Sequence, residues 1–113
     1  MRWILVLTIP LAACSKGPAA DLPSIGEARS LGAEWALVNE QAAQGHLTPT
    51  YVETMRKQLR RQLQSGLASM TQPDSPYGDE ARALLSEPDD ASPEALRRHV
   101  RALKQIEDSL ESA

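Results

Sequence analysis

Apolar residues recur at steps of three and four along most of the chain, the spacing that keeps one face of a helix turned inward. Ala28, Leu31, Trp35, Val38 and Ala42 form the first such stripe. Its start is marked by Ser24 and Glu27, spaced as a capping box in which each side chain bonds the other's free backbone N–H. Its stop is marked by Gly45, because glycine accepts the left-handed conformation that commonly closes a helix. A helix over about 24–44 is predicted. The second stripe runs through Val52, Met55, Leu59, Leu63, Gly66 or Leu67, and Met70, behind Thr48 as N-cap and Pro49 at the first helical position, where its missing N–H costs nothing. Only three or four residues join the two, so they must fold back as an antiparallel hairpin over about 24–71.

Beyond the hairpin, Gln72-Pro73-Asp74-Ser75-Pro76-Tyr77-Gly78 is turn chemistry, part of an acidic, turn-rich segment over about 72–92. A short helix is predicted over about 77–86, with Ala81, Leu84 and Leu85 inward, and Glu87-Pro88-Asp89-Asp90-Ala91 breaks it. Ser92 and Pro93 then open a last helix to about residue 110, with Leu96, Val100, Leu103, Ile106 and Leu110 on one face. No stretch reads as a strand. The recurring cap-plus-proline at Thr48-Pro49 and Ser92-Pro93 is helix punctuation, since nothing around it repeats. The pattern predicts an all-α fold, a small bundle of three to four helices built on the hairpin and occupying residues 24–113.

The N-terminus follows different rules. Met1 and Arg2 precede an apolar run of 11 residues, from Trp3 to Ala13, that ends at Cys14. A membrane-spanning helix needs about 20 residues, so this run is too short to cross and fits the core of a signal peptide. The four residues Leu11-Ala12-Ala13-Cys14 resemble the lipobox of bacterial lipoproteins. That resemblance implies removal of residues 1–13, with Leu11, Ala12 and Ala13 recognised by the signal peptidase, and a diacylglyceryl group on the Cys14 thiol. At about 0.8 kcal/mol per buried CH₂, one acyl chain is a marginal anchor and two or three make a lasting one. Ser15, rather than aspartate, follows the cysteine, which by resemblance to the sorting rule of enteric bacteria implies the outer membrane. Residues 14–23, rich in small residues and proline, read as a tether.

Composition narrows the functional classes. The 113 residues allow one small domain and leave little room for an active-site cleft. The single cysteine is accounted for by lipidation, where a free thiol in an oxidising envelope would be anomalous. Loss of Arg2 with the leader takes the net charge from −3 to −4, a balance that argues against nucleic acid as a partner. The charge lies in blocks, −3 over residues 21–50, +3 over 51–72, −6 over 73–95 and +1 over 96–113. With no phenylalanine and only Trp35, Tyr51 and Tyr77 as aromatics after the leader, the core is thin, and its seams invite completion by another molecule.

No catalytic constellation emerges. His46, in the hairpin turn, and His99, beside the last apolar stripe, are the only histidines. With Cys14 acylated they lack the further ligands a transition metal requires, so no metal or other cofactor is expected. Asp89 and Asp90, near Glu87 and Glu94, have no interleaved turn glycine of the calcium-loop kind and read as a solvated acidic loop leading into the positive pole of the last helix. Arg56, Lys57, Arg60 and Arg61 form a basic cluster on the second helix, and Arg97, Arg98, Arg101 and Lys104 another on the last. Each could dock an acidic partner, lipid headgroups or the phosphates of lipopolysaccharide, and the first is the candidate interaction surface. The competing account is a solvated face, with Glu53–Lys57 and Glu94–Arg98 as i,i+4 pairs and the acidic segment 74–94 neutralising helix two internally.

Gln44-Gly45-His46-Leu47-Thr48-Pro49-Thr50-Tyr51-Val52, followed by Met55 and Leu59, resembles the turn of the short helical hairpins called SHOCT domains. In those the hairpin usually lies at the C-terminus and is thought to serve association; here it is mid-chain and carries proline after the cap. The whole chain also resembles small uncharacterised lipoproteins of alphaproteobacteria, which implies an address and no activity. Together these readings lead to the expectation of a non-enzymatic, lipid-anchored lipoprotein facing the periplasm, with a binding or structural role in the cell envelope. Its partners would be membrane lipid through Cys14 and an envelope protein or a second copy of itself. The alternative is a small lipid-anchored regulator or inhibitor of an envelope enzyme.

Overall fold

Three hydroxyl–proline pairs set three of the helix starts. The computed structural model describes residues 18–112. In these, α1 spans Leu22–Ala43, α2 Pro49–Ala68, α3 Pro76–Leu85 and α4 Pro93–Glu111, with one 3-10 turn, Pro18–Asp21, ahead of α1. Thr48, Ser75 and Ser92 each hold an extended backbone, and their hydroxyl oxygens accept the N–H of the third residue on, Tyr51, Gly78 and Ala95, at 3.1–3.2 Å. Each proline sits at the first helical position, where no intrahelical bond is lost. Ser75-Pro76 uses the same grammar as the two pairs singled out from sequence, and it starts α3 one residue before the predicted 77.

α1 departs from expectation. It begins at Leu22, its N-cap is Asp21, and no side-chain capping bond forms there. Ser24 lies inside the first turn, so Ser24 and Glu27 are not a capping box. The reason is Asp21, whose carboxylate is engaged across the bundle, and Pro23, which suits a first turn. Residues 18–23, expected in the tether, therefore belong to helical structure. The C-terminal end follows the sequence: Gly45 has φ 76°, with Gly45 N–H donating to Ala42 O at 3.0 Å and His46 N–H to Gln41 O at 2.9 Å. These two bonds are a Schellman closure. Residues 44–48 make the link to α2, slightly longer than predicted, and α2 stops at Ala68 although Met70, beyond it, is still buried.

The result is an all-α bundle of four helices on an antiparallel hairpin, with no strand among the described residues. α1 runs between α2 and α4, antiparallel to both: Asn39 meets Arg56 on one side, while Arg29 meets Glu107 and Glu40 meets Arg97 on the other. Partners on two sides explain why α1 buries Ile25, Gly32, Ala36 and Asn39 besides its predicted stripe. Gly32 marks the closest approach, since a Cβ there would lie 2.9 Å from Val100 Cγ2 and 3.0 Å from Leu84 Cδ2. Trp35, Ile25, Leu59, Leu84, Leu96 and Leu103 fill the centre, each essentially out of water. A fully buried Leu or Ile contributes about 1.5–3 kcal/mol, so these few side chains carry much of the stability of a thin core.

Candidate interaction surface

Two large apolar side chains among the described residues remain exposed, and they are neighbours: Leu37 at 51% and Tyr51 at 49%. Leu37 lies just off the buried stripe of α1, and Tyr51 sits in the first turn of α2, its backbone N–H held by Thr48. Together with Glu34, Val38, Gln41, Leu47 and Met55 they line an open groove of about 180 Å³ between the two arms of the hairpin. Beside it, His46 Nδ1 lies 2.7 Å from Gln41 Oε1 and fixes the turn. The groove can receive an apolar side chain; it holds no acid, base and nucleophile in a catalytic arrangement. Of the residues in and just after the hairpin turn, Leu47, Tyr51 and Met55 line it.

The basic cluster of α2 does not form one outward patch. Arg60 turns inward over the Trp35 ring, 4.8 Å from its centroid. It donates to Leu85 O at 2.6 Å and Glu87 O at 2.7 Å, and pairs with Asp89 at 2.9 Å. Arg56 Nε donates to Asn39 Oδ1 at 2.9 Å. Lys57 pairs with Glu53 at 3.6 Å, both side chains well exposed, and Arg61 points to solvent without an ion pair among the described residues. Part of the basic block thus neutralises the acidic turn internally. On α4, Arg97 meets Glu40 and Lys104 meets Asp108, while Glu94 and Arg98 are not paired within 4.0 Å.

The acidic turn is anchored by its carbonyls as much as by its charge. Trp35 Nε1 and Asn39 Nδ2 both donate to Asp89 O at 3.0 Å, and Asn39 Nδ2 also reaches Ala91 O at 2.8 Å. Buried Asn39 lies one helical turn after Trp35, and a polar residue at that step of an apolar stripe was the available sign that this position binds backbone. A second, larger cavity of about 320 Å³ opens beside Asn39, Arg56 and Ala91, with Asp90 and Ser92 at its edge.

Three titratable groups, Asp21, Tyr77 and His99, have pairings that escape a reading of the sequence. Asp21 accepts from Thr71 N at 2.8 Å, Thr71 Oγ1 at 3.0 Å, Gln72 N at 3.0 Å and Tyr77 Oη at 2.6 Å. Burial alone would push its carboxyl up, but these hydrogen bonds outweigh it and hold the group below the usual carboxylate value. Burial, then the bond to Asp21, raises the Tyr77 hydroxyl. His99 stands between two carboxylates, with Nδ1 2.5 Å from Glu80 and Nε2 2.6 Å from Glu87. Burial opposes its charge, yet the two carboxylates prevail and raise its pKa above 6.5.

Cys14 and the residues Leu11, Ala12 and Ala13 lie outside the described residues. Among those described, no helix is long and apolar enough to cross a membrane, and no group of three or more His, Cys, Asp or Glu side chains is arranged to hold a metal ion. Compared with known families, curated proteins and solved structures, the chain matches none.

Proposed function

We propose that the protein is a lipid-anchored component of the cell envelope, beginning at Cys14 after loss of residues 1–13, that acts by binding and not by catalysis. The hairpin groove is its contact surface. The observation that supports binding is the pairing of Leu37 and Tyr51, the large apolar side chains left in water, on one groove. The anchor rests on Leu11-Ala12-Ala13-Cys14.

Position and charge indicate the partner. The chain enters the bundle at Asp21, while the groove lies near the other end of α1, roughly 25 Å along a helix that rises 1.5 Å per residue. A protein tethered by its N-terminus presents that end away from the bilayer. The groove has Glu34 on its rim, in an N-terminal block of net charge −3. The fitting occupant is a periplasm-facing protein segment that offers an apolar side chain next to a basic one. Arg61 and Lys57, exposed on α2, are a further contact for an acidic neighbour.

The test is a photo-crosslinking side chain at Leu37 or Tyr51 in living cells, read with the intact mass of the membrane-bound protein. A defined crosslinked envelope protein, lost in Cys14→Ser, with a mass of residues 14–113 plus acyl groups, is expected. An unacylated chain removes the anchor, and a strictly monomeric protein with no crosslinked species removes the binding role. If the partner is an enzyme whose activity the protein alters, the role is that of a regulator.

A further inference from the structure

His99 faces more acceptors than a neutral ring can serve. Its Nδ1 and Nε2 lie within 2.6 Å of two carboxylates, Glu80 on α3 and Glu87 in the turn after it. A neutral imidazole carries one N–H; the imidazolium carries two, and only it can donate to both partners while both remain ionised. The site is sheltered, with side-chain exposures of 17% for His99, 26% for Glu80 and 23% for Glu87, so solvent replaces a lost donor poorly.

The charged groups that α1, α2 and α3 bring near this cluster are already engaged. On α1, facing α4, Arg29 meets Glu107 and Glu40 meets Arg97. On α3, Arg82 is paired with Asp79. From α2, Arg60 reaches the Glu87 carbonyl and the Asp89 carboxylate. On α4 itself the positions one turn away, Ala95, Leu96, Ala102 and Leu103, are uncharged, and Arg98 adjoins in sequence on the exposed side. No second cation in this set bridges Glu80 and Glu87, so the imidazole alone decides whether two negative charges are joined or left facing one another.

We infer that His99 is a proton-operated latch that fastens α3 and the α3–α4 turn to α4 when its ring is protonated and loosens them when the proton leaves. On deprotonation one carboxylate loses its donor and the cluster goes from one net negative charge to two. The segment that loosens is the one that carries the Asp89 and Ala91 carbonyls bound by Trp35 and Asn39, so the change reaches the centre of the bundle. The sign follows from linkage: the folded ring holds its proton more tightly than the unfolded one, so the stabilisation is complete below about pH 6.5 and is lost as pH rises through the folded pKa.

The test uses the full chain, purified in detergent. The His99 ring is titrated by NMR, and the urea midpoint and α3 amide exchange, corrected for intrinsic rates, are measured at pH 5.5 and 8.5 for the wild type, His99→Gln and Glu87→Gln. The expected result is a ring that titrates above 6.5, a wild-type midpoint that falls on going to pH 8.5 with faster α3 exchange, and a loss of that fall in His99→Gln. Glu87→Gln leaves one bridge, and should show a smaller fall and a ring titrating lower than in the wild type; it keeps the test decisive if His99→Gln does not fold. A ring already neutral at pH 6, or a fall of equal size in the variants, overturns the inference.

Discussion

The guanidinium of Arg60 lies over the indole of Trp35, and the two side chains hold the same loop. Trp35 Nε1 donates to the Asp89 carbonyl, while Arg60 takes the carbonyls of Leu85 and Glu87 and the Asp89 carboxylate. A planar cation with five fixed donors suits this task where lysine does not. Arg60→Ala is expected to cost about 2–3 kcal/mol, from charged hydrogen bonds to partly buried carbonyls and the lost cation–π contact. Arg60→Lys should recover only part of it. Arg61→Ala, one residue on and in solvent, should stay within about 0.5 kcal/mol, and urea unfolding of the three variants checks the contrast.

Asp21 predicts acid sensitivity of the opposite sense to His99. Its folded pKa lies below the unfolded 3.8, so its contribution is present above about pH 3.8 and is lost as pH falls through the folded value. Asp21→Asn puts an amide against four donors and should cost about 2 kcal/mol at neutral pH. Its midpoint should also fall less than that of the wild type between pH 5 and pH 2.5. An equal acid-induced fall in both proteins would assign the sensitivity to other carboxylates.

Gly78 is irreplaceable for a reason of space. A Cβ there would stand 2.0 Å from the carbonyl oxygen of Pro73, which is backbone and has no rotamer to yield. Gly78→Ala should cost about 3 kcal/mol, at the upper end of overpacking effects. Gly45→Ala, with open space around it but φ 76°, should cost about 1 kcal/mol, and Gly45→Asn less. Thermal unfolding of the three separates steric from conformational demand.

Leu37→Ser and Tyr51→Ser should each cost the folded state no more than about 1.5 kcal/mol, because each side chain is already half in water. In the proposed function they should nevertheless abolish capture by a crosslinker placed at Met55, on the same groove. Loss of stability together with capture would make the pair structural.

Helix starts written in local chemistry are legible from the order of residues alone. Thr48-Pro49, Ser92-Pro93 and Gly45 act within three or four residues of themselves, and the structure places α2, α4 and the end of α1 where they indicate. The apolar stripes likewise locate Leu31, Trp35, Leu59, Leu84, Leu96 and Leu103 in the core. Long-range polar pairings are not legible in this way. Asp21 reads as tether because its partners lie 50 to 56 residues away, and that distant bond, not the adjacent Ser24–Glu27 pair, accompanies the start of α1. Arg60 reads as one of four surface cations because helical spacing gives a face but not the loop that will fold against it. The groove is visible in the pattern only as an apolar hairpin face, since the exposure of Leu37 depends on which sides of α1 the other helices leave open.

The clamp at Asp21 also sets how the protein bears load. If the protein is anchored through Cys14 and holds a partner at the hairpin groove, as proposed, tension between the two would enter the domain through the residues just before α1. There the carboxylate is tied to Thr71, Gln72 and Tyr77, on the link between α2 and α3 and the start of α3. A pull entering there would be shared across these four hydrogen bonds and not fall on the first turn of α1 alone.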